Sequence, residues 1–379
     1  MRKSCLVLTL LVCCVLALGT SGCFDDDGSS STGVTTTADP AALTTTTAQS
    51  TTTTTLAPVT WTSLTPTGDL PAARLGGSMV SVADGRKLLL FGGWAGGTSY
   101  INSIWSYDLA TNTWTDLTTT LTKQGVVVPT GALPAARATQ AMVCDPSTGK
   151  AIVFGGFDGT SYYNDTWGFE LATNTWANLN PAGSVPAARG GHSMVYDVDS
   201  GKMILFGGWN GSTQFNDTWA YDPAANTWAN LKPAGRVPTA RDSQAMAYDP
   251  QEKVVLLFGG WSTLTEFSDT WAYDPATNSW ANLEPTGTVP SGRALQQMVY
   301  DPNIDQMVVF GGGTTTVVHD DTWAYDPTTN TWNQANVSGS PPSARTGYAM
   351  LFNSTTRKVY LFGGSDGVTY LNDLWSLSP

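Results

Sequence analysis

The chain has 379 residues, a formal net charge of −12, 15 Trp and 39 Gly. So acidic a protein repels phosphate backbones and anionic lipid heads, which excludes nucleic acid as a partner. Tryptophan and glycine at these levels point away from a helical protein and toward a turn-rich β protein.

The first element is a leader. MRKSCLVLTLLVCCVLALGTSGC has a basic start, an apolar run over 5–18 and a small-residue exit, and the apolar run is shorter than the roughly 20 residues a spanning helix needs. Residues 1–22 are therefore expected to be an export signal. Thr20-Ser21-Gly22-Cys23 resembles a bacterial lipobox, with Thr20 where such boxes usually carry Leu. That resemblance implies a lipid on Cys23, contact with the membrane through that lipid alone, and a place at the cell membrane or cell surface. A cut by the ordinary signal peptidase, giving a secreted or periplasmic protein, is the alternative. Cys5, Cys13 and Cys14 leave with the leader, so Cys144 is the one thiol inside the mature fold and no intrachain disulfide is expected.

Residues 23–58 are rich in Thr and Ser and nearly free of large apolar side chains, which predicts a solvated tether. From 59 to 379 the sequence repeats. Gly-Gly pairs begin at Gly92, Gly155, Gly207, Gly259, Gly311 and Gly363, one step of 63 followed by steps of 52. Each unit holds four short apolar or alternating runs separated by turns, in the third unit HSMVYD (192–197), KMILFGG (202–208), DTWAYD (217–222) and TWANL (227–231). Four antiparallel strands in each of six units is a six-bladed β-propeller. The sixth unit lacks an outer strand, and Trp61 precedes Arg74 by 13 residues, the interval that separates Trp176 from Arg189. The segment VTWTSL (59–64) is thus expected to complete the last blade and close the ring.

The glycine pairs after an apolar strand, followed by DTWAYDPAANTW, resemble kelch repeats, a family that includes the propeller of galactose oxidase, eukaryotic substrate adaptors and bacterial envelope proteins. Membership implies a scaffold and leaves function open. Residues identical in every repeat read as scaffold. The first Trp of each unit is expected between blades, Met79 and its five equivalents in the core, and the six arginines (Arg74, Arg137, Arg189, Arg241, Arg293, Arg345) tied to carboxylates or backbone at blade junctions, or alternatively clamping an anion.

Positions that vary around the ring are the candidate binding residues. The residue three after each Arg reads Gly77, Gln140, His192, Gln244, Gln296 and Tyr348, near the entrance of the innermost strand; the last five are candidate pocket groups, with bonding between blades as the other reading. Trp94, Phe157, Trp209 and Trp261 open the loops between second and third strands, where Gly313 and Ser365 stand in the last two units. These loops should share a face with the long connections between blades, among them the insertion at 116–134. Exposed aromatics there suit a glycan or an envelope or extracellular protein.

Chemistry finds little material. The two histidines, His192 and His319, have no metal-ligand spacing, DVDSGK (197–202) reads as a hairpin turn, and no nucleophile elbow, phosphate loop or dinucleotide fingerprint occurs. A galactose oxidase copper site would need two His, two Tyr and a cysteine cross-link, but Cys144 stands where other repeats carry Tyr196, Tyr248 and Tyr300. No cofactor and no metal is expected. A monomeric, non-catalytic binding propeller is the leading expectation; a cofactor-free sugar epimerase or mutarotase using the arginines with His192, or Glu266 with His319, is the alternative.

Overall fold

The computed structural model describes residues 58–82, 85–118, 133–263 and 265–378. The leader, Cys23, nearly all of the tether and most of the 116–134 insertion lie outside them. The described residues form six blades, five of them four-stranded antiparallel sheets and the last completed by the N-terminal strand, to whose outer side the short strand Val337–Ser338 adds in parallel. In the third blade the strands are Ser193–Asp197, Lys202–Phe206, Thr218–Asp222 and Thr227–Asn230, paired in that order from the centre outward. The first strands of neighbouring blades touch one another all the way round, which closes the ring.

Each second strand is an uninterrupted apolar run because both its faces are buried against other blades. Leu205 packs with Ile152 and Phe154 of the second blade, whereas Ile204 and Phe206 pack with Val255 and Leu257 of the fourth. Six such clusters fill the six junctions. The first Trp of each repeat lies in one of them, as expected; Trp219, for example, is 7% exposed.

The second Trp, on the outer strand, secures the same junction in a second way. Trp228 packs on Phe154 of the preceding blade with centroids 4.8 Å apart, and its indole N–H donates to Thr166 Oγ1 at 3.1 Å. Trp280 and Trp332 repeat this with Thr218 and Thr270. Trp176 and Trp114 meet Ile104 and Leu374 at the threonine position, and their buried indole N–H groups have no protein acceptor. The turns join blades as well. Asn226, at φ 50°, accepts from the Tyr221 hydroxyl at 2.8 Å and donates to Leu179 O of the previous blade at 2.7 Å, so one side chain holds the left-handed turn and the neighbour.

Ring closure follows the expected register. Val59–Leu64 pairs antiparallel with Tyr370–Ser378, from Thr60 opposite Ser378 to Leu64 opposite Leu374. Trp61 takes the outer-Trp role, 5.1 Å from Phe310 and donating to Thr322 Oγ1 at 3.2 Å. DVDSGK is a turn: the Asp197 carboxylate accepts from the Asp199 and Ser200 amides. Cys144 is a partly buried member of the first–second blade cluster, and burial pushes its thiol up to about 11.

Candidate functional site

The arginines are scaffold, and they act inside blades. Arg189 donates through both terminal nitrogens to Asp217, at 2.6 and 2.9 Å, and to Gly207 O at 2.9 Å, all within the third blade. Asp217 also accepts the Trp219 indole N–H at 2.7 Å. The side-chain pair expected at a junction is therefore within a blade; the junction is held by the arginine's backbone, since Gly156 N donates to Arg189 O across it at 2.8 Å. Four blades add a ring beneath the guanidinium or beside it: Tyr163, Phe215 and Phe267 lie 4.1, 3.9 and 3.8 Å from Arg137, Arg189 and Arg241, and His319 takes that place beside Arg293. Burial raises the carboxyls of Asp217, Asp269, Asp321 and Asp373, but the arginine hydrogen bonds and charge outweigh it and hold all four below the usual range. With no more than 2% of any of these arginines exposed, none clamps an anion.

Two residues beyond each arginine the backbone closes a ring of its own. Thr139 N donates to Gly76 O, Gly191 N to Thr139 O, Ser243 N to Gly191 O, Leu295 N to Ser243 O, Gly347 N to Leu295 O and Gly76 N to Gly347 O, at 2.7–2.9 Å. All six residues have φ between 57° and 69°. For Thr139, Ser243 and Leu295 this left-handed backbone costs on the order of 1 kcal/mol or more each; the cyclic hydrogen bonding over-determines it.

This peptide ring separates two spaces on the propeller axis. Above it opens a cavity of about 460 Å³ whose floor includes Ala138, Thr139, Gly191, Asp242 and Leu295. Its walls carry Trp94, Phe157, Trp209 and Trp261, so the four loop aromatics converge on one funnel, but none is exposed as expected: Trp94 is buried and the other three are half-buried. Each is positioned by a backbone bridge to the residue after the arginine, Leu75 to Trp94 through Asp242 to Trp261, which puts the loops and the inter-blade connections on one face. Tyr100 and Tyr162 join the walls. Tyr162 stacks on Phe157 at 4.4 Å, and Trp94 stands edge-on to Tyr370 at 5.4 Å. At the fifth and sixth blades the rim instead presents exposed Val317 and Val368.

Below the ring is a channel of about 190 Å³ lined by the six methionines together with Gln140, His192, Gln244, Gln296 and Tyr348. The structure thus divides the predicted binding residues. The latter five are buried and do not join the funnel. Gln140, Gln244 and Gln296 donate to Phe91 O, Phe206 O and Phe258 O of the preceding blade at 3.0, 2.8 and 2.9 Å, and Tyr348 bonds Phe310 O in the same manner. His192 stands edge-on to Phe154 at 5.4 Å, and burial with nearby Arg189 pulls its imidazole down to about 3, leaving it neutral. Neither His192 nor the paired arginines reach the funnel, so the acid-base set proposed for an epimerase is not assembled there. Glu266 and His319 are engaged in the scaffold, with Thr315 N and Ser291 Oγ respectively.

One group not singled out from sequence is Asp242. The residue after the arginine is Leu75, Ala138, Gly190, Asp242, Ala294 and Thr346, so this blade alone places a carboxylate on the floor. It accepts from Gln214 Nε2 at 2.8 Å and Ser243 Oγ at 2.8 Å, and burial pushes its pKa up to about 6 from 3.8. A carboxyl raised by folding contributes no destabilisation below about pH 4 and opposes folding increasingly as pH rises through 6. Asp242→Asn should therefore stabilise the protein by up to about 3 kcal/mol at pH 8 and by well under about 1 kcal/mol at pH 4. Urea unfolding at both values checks this; an equal effect at the two would contradict it.

Comparison with known proteins agrees with this architecture. The KLHDC2/KLHL20/DRC7 Kelch-repeats domain matches residues 118–304 and 303–379, and the Kelch motif matches 77–120. A protein named Rab9 effector protein with kelch motifs from Xenopus laevis is 30% identical over 213 residues, 54% of this chain and 57% of that protein. Its namesake from Mus musculus is 30% identical over 209 residues, 53% and 54%. Acyl-CoA-binding domain-containing protein 4 from Arabidopsis thaliana is 27% identical over 324 residues, 84% and 47%. The chain spans about half the length of these curated relatives. With six blades, their glycine pairs and arginine–aspartate ties on the page and most of its length matched, the chain belongs to the kelch-repeat family.

Proposed function

We propose that this propeller is a binding module that receives a protein ligand in the aromatic funnel, and that it works outside the cytoplasm, held to a membrane by a lipid on Cys23. The observation that carries the first part is the convergence of Trp94, Phe157, Trp209 and Trp261 on one open cavity of about 460 Å³, within the size of small-ligand and side-chain sites. Exposed Val317 and Val368 extend an apolar rim on the same face, as at surfaces that meet other proteins. Two relatives are named Rab9 effector proteins, and a protein partner is the reading carried over from them; a glycan, which also stacks on aromatic rings, is the outcome that would displace it.

The test is a pair of unbiased arrays, one of peptides and one of glycans, probed with the mature chain and with Trp209→Ala/Trp261→Ala. The expected result is peptide binding by the first that the double variant loses while staying folded by circular dichroism. Binding confined to glycans, or peptide binding indifferent to the two substitutions, overturns the reading. The location rests on the basic, apolar and small-residue leader ending at Cys23. Cys23→Ser should move the protein from the detergent-extracted to the soluble fraction, and continued membrane retention would remove the anchor.

A further inference from the structure

We infer that the funnel is a receptor for a cationic side chain, arginine or lysine, presented by the partner protein; this rests on reading the funnel as a protein-binding site. Four observations lead there. The walls are lined by aromatic side chains, whose ring faces attract a desolvated cation through the quadrupole. The floor carries one carboxylate, Asp242, which accepts a single hydrogen bond on each oxygen from Gln214 and Ser243, and an ionised carboxylate has about four acceptor sites. Two therefore remain for a donor entering from above.

Charge around the opening has one sign. The six loops that rim the funnel (94–103, 157–164, 209–216, 261–268, 313–320 and 365–372) contain no Lys or Arg and four acids, Asp158, Glu266, Asp320 and Asp366. The cations that lie beneath the floor are already engaged: Arg137, Arg189, Arg241, Arg293 and Arg345 each hold an aspartate, and Arg74 bonds Ala72 O and Gly92 O. Of the described basic residues in the connections between blades, Arg236 lies over the Trp271 ring, 5.4 Å from its centroid. Among the described residues, an anionic ligand would meet only like charge at the opening. A neutral apolar plug would deprive Asp242 of solvent without giving it a counter-charge, and burial already works against that carboxylate. A guanidinium or ammonium supplies the missing charge and lies against the rings with its aliphatic stem.

The experiment titrates the mature, isotope-labelled chain with Nα-acetyl-arginine amide and, separately, with Nα-acetyl-citrulline amide, which has nearly the same shape and no charge. Indole N–H signals of Trp209 and Trp261 are followed by NMR. The arginine derivative should bind at least tenfold more tightly and shift both signals. Asp242→Asn should erase that preference while the protein remains folded, and Trp261→Phe should weaken the arginine derivative several-fold. Equal binding of the two probes, or no binding of either, overturns the inference. Its failure is separable from failure of the broader reading: array peptides that need Trp209 and Trp261 but show no basic enrichment leave a protein-binding funnel in place and remove only the cation, whereas array binding indifferent to those tryptophans removes both.

Discussion

Removing Val59–Leu64 should lower the melting temperature by on the order of 10 °C and make the protein prone to self-association. The strand pairs along Tyr370–Ser378, so its loss turns a paired strand into an open edge with unpaired N–H and C=O groups. It also empties the junction between the fifth and sixth blades of Trp61, which is 3% exposed and packed on Phe310. Truncating such a ring costs about 3–5 kcal/mol, before the lost ladder is counted. Trp61→Ala isolates the packing part: it should show most of the loss in melting temperature while keeping the mass of the unaltered protein by light scattering. An unchanged melting temperature in the deletion would mean that the ring is held shut elsewhere.

That strand was legible because closure leaves a numerical trace. One Trp without a blade and one blade without a Trp, spaced from the next arginine by the usual interval, admit few other arrangements. The loop aromatics were legible for a related reason: a position that changes character from blade to blade, at a fixed place after the glycine pair, belongs to a surface rather than to the repeated packing. Gly207 shows how strictly that place is set, since a Cβ there would come within 2.7 Å of Arg241 O at a φ of 73°.

The Gln140 series varies in the same way, yet lies on the far side of a floor that sequence does not announce. The floor exists because the backbone at Thr139, Ser243 and Leu295 adopts a left-handed conformation that these residue types disfavour. Glycine at the same place in three blades (Gly76, Gly191, Gly347) hints at it, but at the other three only the cyclic hydrogen bonding of six blades supports it. Asp242 was hidden by its neighbour. Beside a repeated arginine, a charged residue reads as one more surface group, and its placement on the axis depends on the bridge to Trp261. Tyr100 and Tyr162 were missed although they follow their loop aromatics by six and five residues, because the small hairpin that brings each pair together is made of single bridges rather than strands.

The second large effect concerns the buried ion pairs, where one blade serves as a natural control. Asp217→Ala should destabilise the protein by about 3 kcal/mol, the low end for breaking a buried pair, because the carboxylate is 27% exposed and solvent screens part of its charge. Arg189 would be left wholly buried with a charge that no anion balances, addressed only by Gly207 O, Ala187 O and the face of Phe215, and the Trp219 indole would lose its acceptor. The first blade already lacks the carboxylate, although its Trp105 indole keeps an acceptor in Ser103 Oγ at 3.1 Å. Ser103 replaces the aspartate, Arg74 reaches it at 3.5 Å, and burial pulls the guanidinium down to about 10, opposed in part by the charge of Asp116. Ser103→Asp should therefore stabilise by roughly 1–2 kcal/mol, as the net worth of a charge-assisted, bidentate bond less its desolvation. The gap between wild type and Asp217→Ala must close on acidification, since a carboxyl held below its unfolded value stabilises only above its folded pKa and loses that contribution as pH falls through it. Arg189→Met added to Asp217→Ala should recover part of the loss by removing the stranded charge. Guanidinium unfolding of the four proteins at pH 7 and pH 3 measures all of this. A loss below about 0.5 kcal/mol for Asp217→Ala would place the pair among surface contacts, and the blades would then owe their orientation to the aromatic junctions alone.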